Sequence, residues 1–375
     1  MSLKLFINNN LICSLAVILV LAANCNNPEQ SPDNGLRDRK DMLGRTVGVP
    51  EKVNKVVAIG PGALRLLCYL QVTEKVTGIE ELERRSGRPY AFAYPELQNK
   101  PLIGPPFTGD AELIASCKPD IIVKTYTSQR EADKLQNKTN IPVVAIQYTS
   151  KRDEWKTLKK SLSFLGEVFN KQSRADSLIA FFSSSIDTLK LLTSKADAKP
   201  KVYAGGISHR GTHGFTSTSI YYEPFEFVSA RNVASPLREK YDSMEEVIID
   251  PEQILKWNPE IIFLDLAGIQ LIRKDIQKYG KLLDNTTAFK NSQVYGIHPY
   301  NWYAVNYATT LINAWYIGSV LYPEQFSKFD IEKKADEIYT QFLGKNVYQE
   351  MTEQYGPYQL ISKTSLTENT TKKQE

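Results

Sequence analysis

Lys55-Val-Val-Ala-Ile-Gly60 and, 146 positions later (201 − 55), Lys201-Val-Tyr-Ala-Gly-Gly206 decide the fold. Each is a short apolar run broken by glycine, the pattern of a buried strand opening into a turn. Two more pairs extend the match outward. Ala111-Glu-Leu-Ile…Lys118-Pro-Asp-Ile-Ile-Val123 aligns with Pro251-Glu-Gln-Ile…Asn258-Pro-Glu-Ile-Ile-Phe263, an offset of 140 (251 − 111). Pro142-Val-Val-Ala-Ile146 aligns with Gln293-Val-Tyr-Gly-Ile297, an offset of 151 (293 − 142). Three matches in one order at nearly one spacing predict a chain built twice from the same α/β unit. Pro119 and Pro259 have a local reason: proline ends a helix, and the residues after it open a buried strand.

The spacing predicts strands over 55–59, 76–79, 120–124, 142–146, 201–205, 260–265 and 293–297, with helical patterns between them, as at 62–70, 110–117 and 128–138. Such alternation implies mainly parallel sheets covered by helices, hence an α/β protein of two Rossmann-like lobes with a ligand cleft between them. Residues 153–195 have almost no glycine and no proline. Leu158, Leu162, Leu165, Val168 and Phe169 keep helical spacing, as do Leu178, Phe181, Phe182, Ile186 and Leu189. A helix closing the first lobe and one long helix crossing to the second are expected. The organisation is then a first lobe over 41–170, a connecting helix over 171–198, a second lobe over 199–361 and a disordered tail over 362–375.

The amino end reads separately. Lys4 precedes an apolar run of 13 residues, 11–23, too short for the roughly 20 residues a bilayer span needs. It has the size of a signal-peptide core, with Ala22, Ala23 and Asn24 at the cleavage position. Cys25 follows at once. The arrangement resembles the lipobox of bacterial lipoproteins, although Asn24 stands where Gly, Ala or Ser is usual; the alternative is a plain secretory signal. The resemblance implies a signal peptide over 1–24, lipid on Cys25 and a flexible tether over 25–40, rich in Asn, Pro and charge.

Composition excludes several classes. Lys plus Arg is 46 and Asp plus Glu 42, a net charge of +4 over 375 residues, which argues against a nucleic-acid binder. With 42% hydrophobic and 23% charged residues the bulk of the chain is globular, not disordered. Four cysteines exclude a disulfide-stapled scaffold, and three histidines argue against a His-built metal site. Cys68 and Cys117 sit in apolar patterns and read as free thiols. No GxGxxG follows a strand, and GxxxxGK[ST], HExxH, CxxC and GxSxG are absent, so no cofactor and no catalytic set is expected.

Beyond the repeat, an ordered set of segments resembles the substrate-binding proteins of ABC importers, in the helical-backbone class that takes ferric siderophores, haem, cobalamin and some oxyanions. Its carriers are Asp41-Met-Leu-Gly-Arg-Thr-Val-Gly-Val-Pro50, Val56-Val-Ala-Ile-Gly-Pro-Gly-Ala-Leu-Arg65, Lys118-Pro-Asp-Ile-Ile, Asn140-Ile-Pro-Val-Val, the long helix, and Trp315…Leu321-Tyr-Pro-Glu324. Gly205-Gly-Ile…His213-Gly-Phe-Thr-Ser-Thr-Ser…Pro224-Phe225 resembles the subgroup named for iron(III) complexes. The resemblance implies a monomeric, non-enzymatic receptor outside the cytoplasm, held to a membrane by lipid. It would deliver an anionic metal chelate, a ferric siderophore first, to a permease and its ATPase. Haem, a corrinoid, or molybdate and tungstate are the alternatives. A chelatase-like enzyme on two lobes is the alternative of another class.

In open α/β sheets, ligands bind beyond the carboxyl ends of the strands. That rule selects the candidate residues. Arg65 follows the Gly60-Pro61-Gly62 turn and either meets an anion or lies on a solvated face. Arg88 stands out from the cluster Arg84, Arg85 and Arg88, which is either a solvated surface or an anion contact. Tyr126 and Tyr148 follow two strands. His209, Arg210 and His213 follow the strand that duplicates the first. Tyr300 and Trp302 belong to an aromatic loop suited to stacking or cation–π contact, or else pack the lobe. Arg65 and Arg210 occupy corresponding loops and are expected to face each other.

Overall fold

The computed structural model describes residues 35–85, 87–147, 154–196, 198–241 and 246–367. The expected signal peptide, Cys25, most of the expected tether and Tyr148 lie outside the described residues. β1 (Leu36–Lys40) and β2 (Thr46–Pro50) form an antiparallel hairpin. The expected tether reaches residue 40, but its last five residues are this strand, and pairing with β2 rather than burial holds the charged sequence Leu36-Arg-Asp-Arg-Lys40 extended.

β3 (Val56–Ile59), β4 (Val76–Gly78), β5 (Ile121–Lys124) and β6 (Val143–Ala145) make a parallel sheet in the order β4-β3-β5-β6. In the second lobe β7 (Lys201–Gly205), β8 (Ser217–Ser219), β9 (Arg231–Asn232), β10 (Glu246–Ile248), β11 (Ile261–Asp265) and β12 (Val294–Ile297) follow. There β12-β11-β7-β9 is the sheet, again parallel, while β8 and β10 form a small antiparallel pair. The three strand matches in the sequence are β3 with β7, β5 with β11 and β6 with β12. They occupy the same places in the two sheets, and β4 and β9 take the remaining edges. The central strands are buried on both faces, which is why they read as unbroken apolar runs.

The connecting helix is Gln172–Thr193. Its buried residues Ala175, Leu178, Phe182, Ile186, Leu189 and Thr193 recur every three or four positions and make one stripe. Phe182 meets Phe227, Tyr307 and Phe342 edge-on, at centroid distances of 6.2, 6.3 and 6.0 Å. One apolar core therefore runs from the first lobe through this helix into the second.

The second lobe does not keep all of its helices to itself. The helix Ile331–Leu343 returns to the first lobe, where Phe342 packs against Tyr69 at 5.0 Å and Tyr94 Oη donates to the Leu343 carbonyl at 2.6 Å. Lys345 Nζ donates to the Ala93 carbonyl at 2.6 Å and Tyr355 Oη to that of Gly87 at 2.7 Å. The lobes are joined twice on this side, and a boundary at 199 understates the connection. The tail also holds a short helix, Lys363–Thr367, whose Leu366 is buried. Cys68 and Cys117 are free thiols, Cys68 buried and Cys117 half-buried. Among the described residues no helix is long and apolar enough to cross a membrane.

Candidate functional site

The strand ends of both sheets deliver loops to one cleft, and the segment Asn301–Val305 runs along it. Asn301 and Val305 bridge in antiparallel fashion, so the residues between them form a tight turn with Tyr303 at its left-handed position, φ 59°. Asn301 Nδ2 donates to Glu246 Oε1 at 3.1 Å, and the other oxygen of Glu246 lies 3.2 Å from His209 Nδ1. Glu246 thus ties the loop after β7 to the loop after β12. Ala304 accepts a hydrogen bond from Arg65 Nη1 at 3.1 Å through its carbonyl, and the Arg65 guanidinium lies 5.5 Å from the Tyr307 ring centroid. Arg65 is 2% exposed, so its charge is held inside the interface between the lobes.

Gly62 makes that position reachable. Its φ is 82°, and a Cβ there would lie 2.6 Å from Arg65 Nη2, so the guanidinium folds back beneath the turn. Gly60 is less available to an anion than its sequence suggests. Its amide donates to Glu80 Oε2 at 2.8 Å. Glu80 is buried, and loss of hydration pushes its carboxyl up from 4.5 to about 7, against the opposing effect of the Gly60 amide. Asp265 does the parallel work in the second lobe: Oδ2 accepts from Ser208 N at 3.1 Å and Oδ1 from Ala267 N at 3.0 Å. Burial raises it to about 6. Each lobe braces the loop after its first sheet strand with one buried carboxyl.

Across the mouth, Tyr126 Oη donates to the Tyr303 carbonyl at 3.2 Å. Phe107 packs edge-on against both rings, at 6.1 Å to Tyr126 and 6.1 Å to Tyr303. Phe107, Tyr126 and Tyr303 have φ of 69°, 47° and 59°. Left-handed backbone at bulky residues costs on the order of 1 kcal/mol or more each, and it persists where surrounding structure enforces it. Lys124, at the end of β5, holds Phe107 in place: its buried Nζ donates to the Phe107 carbonyl, and desolvation lowers the ammonium's pKa.

The candidates therefore separate. Arg65, Tyr126, His209 and Trp302 are brought to the interlobe face. Trp302 packs on Tyr303 at 6.3 Å, and its buried indole N–H has no acceptor among the described residues. Arg210 is exposed at a left-handed turn, φ 53°, whereas Arg65 is buried against Ala304 and Tyr307, so the two arginines of corresponding loops stand in unlike surroundings. His213 is half-buried, with Nε2 2.9 Å from the His209 carbonyl, and serves that loop. Arg88 is not a free cation: buried, it pairs with Glu83 at 3.3 Å and donates to the Leu82 and Arg85 carbonyls at 3.0 and 2.7 Å. Tyr300 is core, 4% exposed and edge-on to Tyr222 at 5.2 Å. Among the described residues no group of three or more His, Cys, Asp or Glu is placed to hold a metal ion.

Sequence reasoning missed Phe107 and Lys124, and left Glu80 and Tyr303, both in strand-end loops, out of the candidate residues. Lys124 carried a signal, a lysine closing an apolar strand. Phe107, in Gly104-Pro-Pro-Phe-Thr-Gly109, lies in a turn-rich stretch that shows no aromatic role.

Residues 56–301 match the family described as periplasmic binding protein. The molybdate-binding protein MolA of Haemophilus influenzae is 26% identical over 333 residues, 82% of this chain and 92% of that one. The structure of MolA bound to molybdate superposes with a TM-score of 0.65 at 23% identity, covering 83% of this chain and 99% of the other. A periplasmic solute-binding protein of Veillonella parvula gives 0.67 at 21%, with 85% and 96% covered. Helicobacter pylori CeuE in its Ni-His complex gives 0.58 at 18%, with 85% and 99% covered.

Proposed function

Because this chain belongs to the periplasmic binding protein family and serves an ABC importer outside the cytoplasm, we propose that its cleft takes a compact oxyanion of the molybdate and tungstate class. The observation that carries this reading is the closed mouth. Phe107, Tyr126 and Tyr303 meet across the lobes, an arrangement that favours a small anion over a bulky ligand. A flat chelate such as haem, or a bulky ferric siderophore, must push three rings and their enforced backbones aside. The ferric-chelate expectation therefore ranks second.

Arg65 supplies a buried positive charge, and Arg210, exposed in the corresponding loop of the second lobe, adds a second cation. The Trp302 indole donates toward the oxyanion, and charge-assisted hydrogen bonds of this kind contribute about 1.5–3 kcal/mol each in a dry site. The 26% identity to a molybdate-binding relative over most of both chains supports the same class. A lipid on Cys25 would keep the receptor beside its permease. A thermal-unfolding panel tests the reading. Molybdate and tungstate should raise the Tm while sulfate, phosphate, haemin and a ferric catecholate leave it unchanged; a rise with the ferric chelate alone overturns it.

A further inference from the structure

Along the helix Tyr307–Leu321, Tyr307 stands at the cleft and Trp315 lies eight residues on, roughly 12 Å away at 1.5 Å per residue. Trp315 borders a second cavity, of about 360 Å³, which none of the cleft residues lines. We propose that this cavity binds a small aromatic carboxylate.

Three observations carry the proposal. Aromatic faces are gathered there: Phe329 stacks on Trp315 with 5° between the planes and 6.2 Å between centroids, and Phe326 stands edge-on to both at 5.8 and 6.2 Å. A donor lacks an acceptor: Trp315 is 9% exposed, and its buried indole N–H has no partner among the described residues. Buried polar groups are nearly always hydrogen-bonded, and indole N–H groups especially so. The charge at the rim is positive. Asp330 caps the following helix through the Glu332 and Lys333 amides and pairs with Lys333 at 3.3 Å, and Glu337 pairs with Lys334 at 2.6 Å. Lys334 Nζ also sits 4.4 Å over the Trp315 ring. Lys328, also lining the cavity, is exposed and has no ion pair among the described residues.

An aryl ring against Phe326 and Phe329 with its carboxylate at Lys328 matches the aromatic faces and the rim charge, and a side-chain shift at the rim lets the carboxylate reach the buried Trp315 N–H. The volume falls within the roughly 300–1,000 Å³ of small-molecule sites. A neutral aromatic alcohol lacks the charge that Lys328 selects.

Nitrogen-15 NMR of the indole signals of the full chain tests this with benzoate as probe, the Trp315 signal being assigned with Trp315→Phe. Benzoate should shift that signal saturably and leave the Trp302 signal, at the cleft, in place. Lys328→Gln, an exposed change that leaves the fold intact, should weaken benzoate about three- to tenfold, and benzyl alcohol should bind wild type about as weakly. If Trp315→Phe does not fold, calorimetric titration of wild type and Lys328→Gln with benzoate decides the point by itself. An unmoved Trp315 signal, or no calorimetric binding into the tens of millimolar, overturns the site. Equal binding of benzyl alcohol overturns the carboxylate class. Molybdate binding at the cleft is unaffected by either result.

Discussion

Tyr126 and Tyr303, 177 residues apart in the chain, touch across the two lobes: the hydroxyl of one donates at 3.2 Å to the carbonyl of the other, and both hold left-handed backbone, φ 47° and 59°. Neither conformation is favourable alone. Their contact, with Phe107 between them, makes a latch over the cleft.

Tyr126→Phe should therefore affect ligand more than fold. Tyr126 is 41% exposed, so loss of one exchangeable hydrogen bond should cost no more than about 1 kcal/mol of stability. Ligand dissociation followed by stopped flow should be several-fold faster in the mutant. An unchanged off-rate would mean that the mouth is not a barrier.

Glu80 gives a pH dependence of defined sign. Its carboxyl ordinarily titrates at 4.5 and in the folded protein at about 7, so between these values the folded state holds a proton that the unfolded chain has lost. Stability from this group is thus present at low pH and falls as pH rises through that window. Asp265, raised from 3.8 to about 6, acts in the same direction over its own window. His298 opposes them. Buried and held neutral, with its pKa lowered to about 4 from 6.5, it costs stability as pH falls through 6.5 toward 4. The comparison that isolates Glu80 is Glu80→Gln against wild type. The mutant should gain on wild type by on the order of 2–3 kcal/mol between pH 4.5 and 8, read by urea unfolding. A constant difference across that range refutes the assignment.

The lobes should close little on binding. The connecting helix and the return of Phe342, Leu343 and Lys345 to the first lobe join them twice. Small-angle scattering with and without ligand should give nearly the same radius of gyration. Cutting one tie with Lys345→Ala should not abolish binding; a large fall in radius on adding ligand counts against the rigid joint.

Lipid on Cys25 is checked by metabolic labelling with a palmitate analogue. The wild type should label and Cys25→Ser should not. Equal labelling of both removes the anchor from the account.

The sheets were legible because a strand buried on both faces must be apolar, and β3, β5, β7 and β11 are. Their repetition also exposed the two-lobed plan. β9, two residues long, left no pattern, and β1 is charged because its partner strand holds it. Arg88 reads as a cation available to a ligand because its partner, Glu83, stands five residues earlier in the same charged run. Tyr300 and Trp302 share one loop, yet only packing against Tyr222 sends the first into the core. The latch was not legible at all, since Phe107, Tyr126 and Tyr303 meet only once both lobes have folded.

Calorimetric titration of molybdate into wild type and Arg65→Ala, with sulfate as the control anion, tests whether the cleft is an oxyanion site. Saturable molybdate binding, little response to sulfate, and a roughly ten- to hundredfold loss in Arg65→Ala with the fold intact by circular dichroism are expected. Absence of molybdate and tungstate binding to wild type, with a ferric chelate binding instead, would contradict an oxyanion site.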